Sequence, residues 1–159
     1  MNFYQQLGFL VFGSRLRRLS ETFLSDVNSI YKAHKIPFDA SWFPVFYILS
    51  QEGEVSIRQI SNQLGITHSA ASQMVSNLQE KGHIKSTVSK KDARHKVVAF
   101  TPKGQRLLQK IQPVWQALQY AMLELGGGDA ESQKLLASLT RVEERINEKS
   151  LFERIEGHL

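Results

Sequence analysis

SIRQISNQLGITHSAASQMVSNLQE, residues 56–80, reads as two short helices joined by a tight turn. Ser56 is a helix cap, and Ile57, Ile60 and Leu64 set an apolar edge on the helix that follows. Gly65 stands where a helix terminus needs positive φ, and Thr67 caps a second helix over 68–80. On a wheel of about 100° per residue, Ala70, Ala71, Met74, Val75 and Leu78 form a packing side. His68, Ser69, Ser72, Gln73 and Ser76 centre about 160° away. These outward groups are uncharged and hydrogen-bonding, whereas an exposed helix face is ordinarily filled with Glu and Lys. Two short helices joined this way, the second amphipathic, form a helix-turn-helix. Its second helix enters a DNA major groove and meets base edges. Groove-facing groups must exchange hydrogen bonds with bases without holding carboxylates against phosphates, which answers to this composition. Gln73 can pair with adenine through both amide atoms, and Thr67 with the helix N-terminus suits a phosphate. A merely solvated polar face is the plainer alternative for this helix taken alone.

The next residues weigh against that alternative. HIKSTVS and KVVAF are β-branched runs flanking the polar connection KKDARH, so they read as a hairpin with a basic tip. Residues 81–96 hold Lys81, Lys85, Lys90, Lys91, Arg94 and Lys96 against Asp92 alone, so the whole net charge of +5 sits in this stretch. A focused basic patch on a neutral body suits a polyanion.

Outside this unit, apolar residues recur at Phe9, Phe12, Leu16, Leu19, Phe23, Val27 and Ile30, which predicts a long amphipathic helix over 7–31. HKIPFD ends it, and SWFPVFYILSQ forms the next, with Pro44 tolerated in the first turn and Asp39 or Ser41 as its cap. EGEVS is a short link with room for one pair of strand residues. TPKG opens a helix with Thr101 as cap, and its stripe runs from Leu107 to Leu125 with a kink expected at Pro113. GGGD stops it, and Asp129 is expected to cap a last helix that the tail SLFERIEGHL continues. The expected fold is mainly α with a small β-hairpin wing. The expected divisions are 1–36 as an N-terminal dimerisation helix, 37–101 as the DNA-binding domain and 102–159 as C-terminal dimerisation helices. The long stripes exceed what the central unit can cover, so each other and a second copy are their expected cover.

Composition narrows the function further. The chain has 159 residues, 42% of them hydrophobic and 22% charged, a globular balance. The absence of cysteine excludes thiol catalysis, disulfides and cysteine-ligated zinc. The histidines at 34, 68, 83, 95 and 158 lack metal-site spacing, and no catalytic triad, phosphate loop or carboxylate pair is present, so neither metal, cofactor nor enzymatic activity is expected. No apolar run has the length of a membrane span, and the start lacks the pattern of a signal peptide, so a cytoplasmic location is expected.

The block from Ser56 to Leu108 also resembles MarR-type transcriptional regulators. Ile60 and Leu64 before Gly65, Val75 and Leu78 leading into EKGHI, the wing sequence Asp92-Ala93-Arg94 and TPKG carry the likeness, which is close over about residues 40–110. The flanking helices agree in order and amphipathicity only. The resemblance implies a homodimer built through the terminal helices, a palindromic double-stranded operator, repression, and release by a small aromatic ligand. It also implies that Arg94 enters the minor groove, oriented by Asp92, with phosphate charge from Lys90, Lys91, His95 and Lys96. A narrow minor groove attracts arginine, which agrees. With Ser56 and Arg58 of the preceding helix and the outward residues of 67–76, these make up the expected DNA-contacting set. Trp42, Phe43, Phe46 and Tyr47 read first as core, although Phe9, Phe12, His34, Phe43, Phe46 and Tyr47 could line a cleft for the effector. The rival from another class is a winged-helix adaptor that turns the same basic face to an acidic protein.

Overall fold

Residues 2–88 and 96–159 are described by the computed structural model. They form two compact units, Met1–Pro113 and Val114–Leu159.

The N-terminal stripe is divided into three pieces where one helix was expected. Asn2 caps α1 (Phe3–Gln6), a 3-10 turn follows over Gly8–Val11, and α2 runs from Phe12 to Ala33. Gly8 supplies the positive φ that breaks the run. Asp39 accepts from the Ser41 backbone N–H at 2.8 Å and caps a short turn, Ala40–Trp42, before α3 (Phe43–Glu52). The link after α3 contains β1 (Glu54–Val55), then α4 (Ile57–Leu64) and α5 (His68–Glu80).

The two β-branched runs form β2 (Ile84–Val88) and β3 (Lys96–Phe100), antiparallel, with Ile84 opposite Phe100 and Val88 opposite Lys96. The wing strands are therefore two of the three strands of a larger sheet. β1 pairs with the other side of β3, Val55 opposite Val98, giving the order β1-β3-β2. With both edges occupied, β3 buries its neighbours Val97 and Val98 together.

The first unit's core gathers Phe46, Leu49, Val55, Ile60, Val75, Leu78, Ile84 and Ile111, each nearly inaccessible to solvent. Fully burying one such side chain contributes about 1.5–3 kcal/mol. Phe38 and Phe46 meet edge to face at 5.0 Å, and Phe46 meets Phe100 at the same distance. Phe43 and Tyr47, expected inside, stack on one another at 5.4 Å and stay 39% and 47% exposed.

α6 (Pro102–Leu125) is one continuous helix through Pro113. In the second unit α7 covers Asp129–Glu148, with Gly128 in the capping position and Asp129 in the first turn, where its charge favours the positive helix end. The tail does not continue α7. Lys149 is extended, and Ser150 and Glu153 form a reciprocal capping box that starts α8 (Leu151–Glu156). No described helix is long and apolar enough to cross a membrane.

Candidate nucleic-acid interface

Local sequence sets the angle between α4 and α5. The Ser56 hydroxyl accepts from the Gln59 N–H at 3.2 Å, while the Gln59 side chain accepts from the Ser56 N–H at 2.8 Å. Gly65 ends α4 at φ +62°, and the Ile66 N–H returns to the Ser61 carbonyl at 3.1 Å. Thr67 then accepts from the Ala70 N–H at 3.2 Å and starts α5 in a new direction. Ile60 on α4 and Ala71, Val75 and Leu78 on α5 are buried, which fixes the rotation of α5 about its axis.

The far end of α5 is also fixed. The His83 N–H closes on the Leu78 carbonyl at 3.0 Å, with Gly82 at φ +73°. Gln79 donates through Nε2 to the Ser86 hydroxyl at 2.7 Å, tying α5 to β2. The Thr101 hydroxyl is 2.7 Å from the Gly82 carbonyl and 3.1 Å from that of His83, and accepts from the Gly104 N–H. Lys103 Nζ donates to the Lys81 carbonyl at 2.7 Å. The first turn of α6 thus holds the connector that leaves α5.

His83 lies within this junction, 4% exposed, 5.6 Å from the Trp42 ring centroid. Its Nδ1 has no hydrogen-bond partner among the described residues. Burial, then the nearby charges of Lys103 and Lys81, push its pKa below the ordinary value, so at neutral pH it is uncharged.

On the outward side of α5, His68, Ser69 and Gln73 are exposed, as is Thr67 at the cap, while Ser72 and Ser76 are half-buried. Arg58 is exposed on α4, whereas Ser56 is half-buried with its hydroxyl committed to the capping box. Lys96 is exposed at the start of β3. Lys90, Lys91, Asp92, Arg94 and His95 lie outside the described residues. Three exposed positions on α5 were not expected there: Ala70, Asn77 and Glu80. Ala70, small and apolar, reads in the sequence as part of the packing side, yet it is exposed. The helical wheel could have placed it outward, since it lies about 100° from the buried Ala71 and within about 60° of Gln73.

The residues suggested for an effector cleft lie on the first 3-10 turn, α2 and its end, and α3. Phe46 is fully buried in the core, Phe43 and Tyr47 make a surface pair, Phe9 and Phe12 meet at 5.3 Å, and His34 is exposed at the end of α2. Among the described residues, no group of three or more His, Asp or Glu side chains is placed to hold a metal ion.

Comparison with known proteins agrees with this architecture. The model of the MarR family matches residues 37–95. YwaE, an uncharacterized HTH-type transcriptional regulator of Bacillus subtilis strain 168, is 24% identical over 106 residues, 65% of this chain and 61% of its own. The chain thus spans about three fifths of the length of that curated relative. A MarR/EmrR family transcriptional regulator from Acinetobacter sp. ADP1 superposes with a TM-score of 0.71 at 21% identity, over 86% of this chain and 94% of its own. MepR from S. aureus, solved as a DNA complex, gives a TM-score of 0.71 at 17% identity, over 85% of this chain and 97% of its own. These likenesses establish the winged-helix fold.

Proposed function

We propose, from the match of residues 37–95 to the MarR family model, that this protein is a double-stranded-DNA-binding transcriptional regulator and not an enzyme. It acts as a homodimer on a palindromic operator, and its sign is repression. The observation that carries the reading is the outward face of α5, where exposed, hydrogen-bonding His68, Ser69 and Gln73 stand on a helix fixed at both ends. Exposed Arg58, Lys85 and Lys96 supply positive charge in the same winged-helix unit. Phosphate contacts of that kind position a protein on the duplex, and base contacts specify the sequence.

Two-fold association is supported by apolar residues that each unit leaves open. On α2, Leu16, Leu19, Phe23, Leu24 and Ile30 are 39–47% exposed. In the second unit, Leu135, Leu136, Leu151 and Phe152 are more than half exposed. Exposed apolar surface on this scale marks an interaction site. A dimer presents two recognition helices about 34 Å apart, one turn of DNA. A small aromatic ligand that prefers another spacing would release the operator, to the extent of its differential affinity. The exposed Phe43–Tyr47 ring pair is a natural contact for it.

Gel retardation with duplex fragments flanking the protein's own gene tests this reading. Retention of particular fragments is expected, with affinity falling by orders of magnitude from low to moderate salt. No retention of any duplex, even in dilute buffer, overturns it. Binding to an acidic protein in place of DNA would establish the adaptor.

A further inference from the structure

The proposed DNA-binding role leaves open which bases are read, and the side chains of α5 narrow that choice. Ala70, Gln73 and Asn77 are all exposed, at spacings of three and four that put them in one stripe along the helix. The stripe is about 10 Å long, near the rise of three base pairs. The side chains of Gln73 and Asn77 have no hydrogen-bond partner among the described residues. Gln79, by contrast, donates to Ser86, and the cap residue Thr67 accepts from the Ala70 N–H.

What the helix lacks is equally informative. No Lys or Arg occurs in residues 68–80, and Lys or Arg bonded to guanine O6 and N7 is the commonest way a major groove specifies G·C. Gln and Asn instead match adenine, accepting from N6 and donating to N7, and the Ala methyl meets the thymine 5-methyl. Ser69, the other exposed polar group close to the stripe, bonds to any base and does not discriminate. His68 stands about 140° around the axis from Gln73, on another flank. Glu80 is exposed in the last turn, the end away from the groove-entering N-terminus.

Resting on the proposed DNA binding, we infer that α5 selects A·T base pairs at the centre of each half-site, through Gln73 and Asn77 on adenines and Ala70 on a thymine methyl. Guanine is excluded from the α5 footprint, not from the operator as a whole.

Selection of bound duplexes from a random-sequence pool, followed by base substitution in the selected site, tests this with the full chain. The expected result is half-sites with A·T pairs under α5, each losing roughly ten- to hundredfold in affinity on exchange for G·C. Removing adenine N7 with 7-deazaadenine should weaken the intact protein at two positions. Asn77→Ala should abolish the effect at one of them and Gln73→Ala at the other. Thymine exchanged for deoxyuridine should weaken binding at the pair facing Ala70. Both alanine variants sit at exposed helical positions where Ala is the better helix former, so their folding is not at risk. Half-sites centred on G·C, or unaltered preferences in both variants, overturn the inference while DNA binding stands. Failure to select any duplex overturns both.

Discussion

Gly104 lies directly against the backbone carbonyl of His83. A Cβ placed on Gly104 falls far inside contact distance of that oxygen and 2.9 Å from Phe100 Cδ1. The partner atom is backbone, so it cannot swing aside. Gly104→Ala therefore has to push α6 away from the connector and stretch the Thr101 bonds. The expected cost is at or above the top of the ordinary overpacking range, about 1–3 kcal/mol. A thermal melt reads it as a drop of several degrees, and an unchanged midpoint would refute the close approach.

His83 makes stability depend on pH in a defined direction. Burial and the two lysines hold its folded pKa below the ordinary 6.5, and the unfolded chain releases it from both. Below about pH 6.5 the unfolded state binds the proton more readily, so stability falls with decreasing pH until the folded pKa is passed. Above that pH the contribution is complete. Urea midpoints at pH 7.5 and 5.5 should differ in that sense, with a slope of at most about 1.4 kcal/mol per pH unit from this proton. His83→Leu should flatten the profile. A variant that retains the full dependence would assign it to other groups.

Arg94, in the sequence of the basic tip, tests the wing. Arg94→Ala should weaken operator binding and reduce the slope of log affinity against log salt by about one unit. The measurement is a salt titration of gel retardation. Equal affinity and slope would remove the wing from the DNA-binding surface.

Leu19 on α2 is 41% exposed within its apolar stripe. A charge there cannot be covered by a second copy without a partner of its own. Leu19→Glu should shift the sedimenting species from the mass of two chains to that of one and lower operator affinity with it. Retention of the two-chain mass would place the interface elsewhere.

The residues most legible in the sequence were those acting on near neighbours. Ser56, Gly65, Thr67 and Thr101 each set a helix boundary through groups within a few positions, and each stands in its expected place. The Ser150–Glu153 box was equally local and readable, yet the apolar tail suggested continuity. Phe43 and Tyr47 misled because ring size argues for burial while the surface admits a stacked pair. The two-residue β1 was too short to show alternation; it exists because β3 offers its free edge. The contact of Gly104 with His83 joins residues 21 positions apart, beyond any pattern of spacing. The polar face of α5 was legible, and the centre of its exposed side was not. Ala70 and Asn77 emerge once burial of Ala71, Val75 and Leu78 fixes the rotation.

That fixed rotation separates two kinds of inheritance along a single helix. The side chains that hold α5 in place are not those it turns outward, so Ser69, Ala70, Gln73 and Asn77 can drift without disturbing the fold. A duplicated copy of this gene could acquire a different target by a few substitutions within little more than two turns, keeping its scaffold intact.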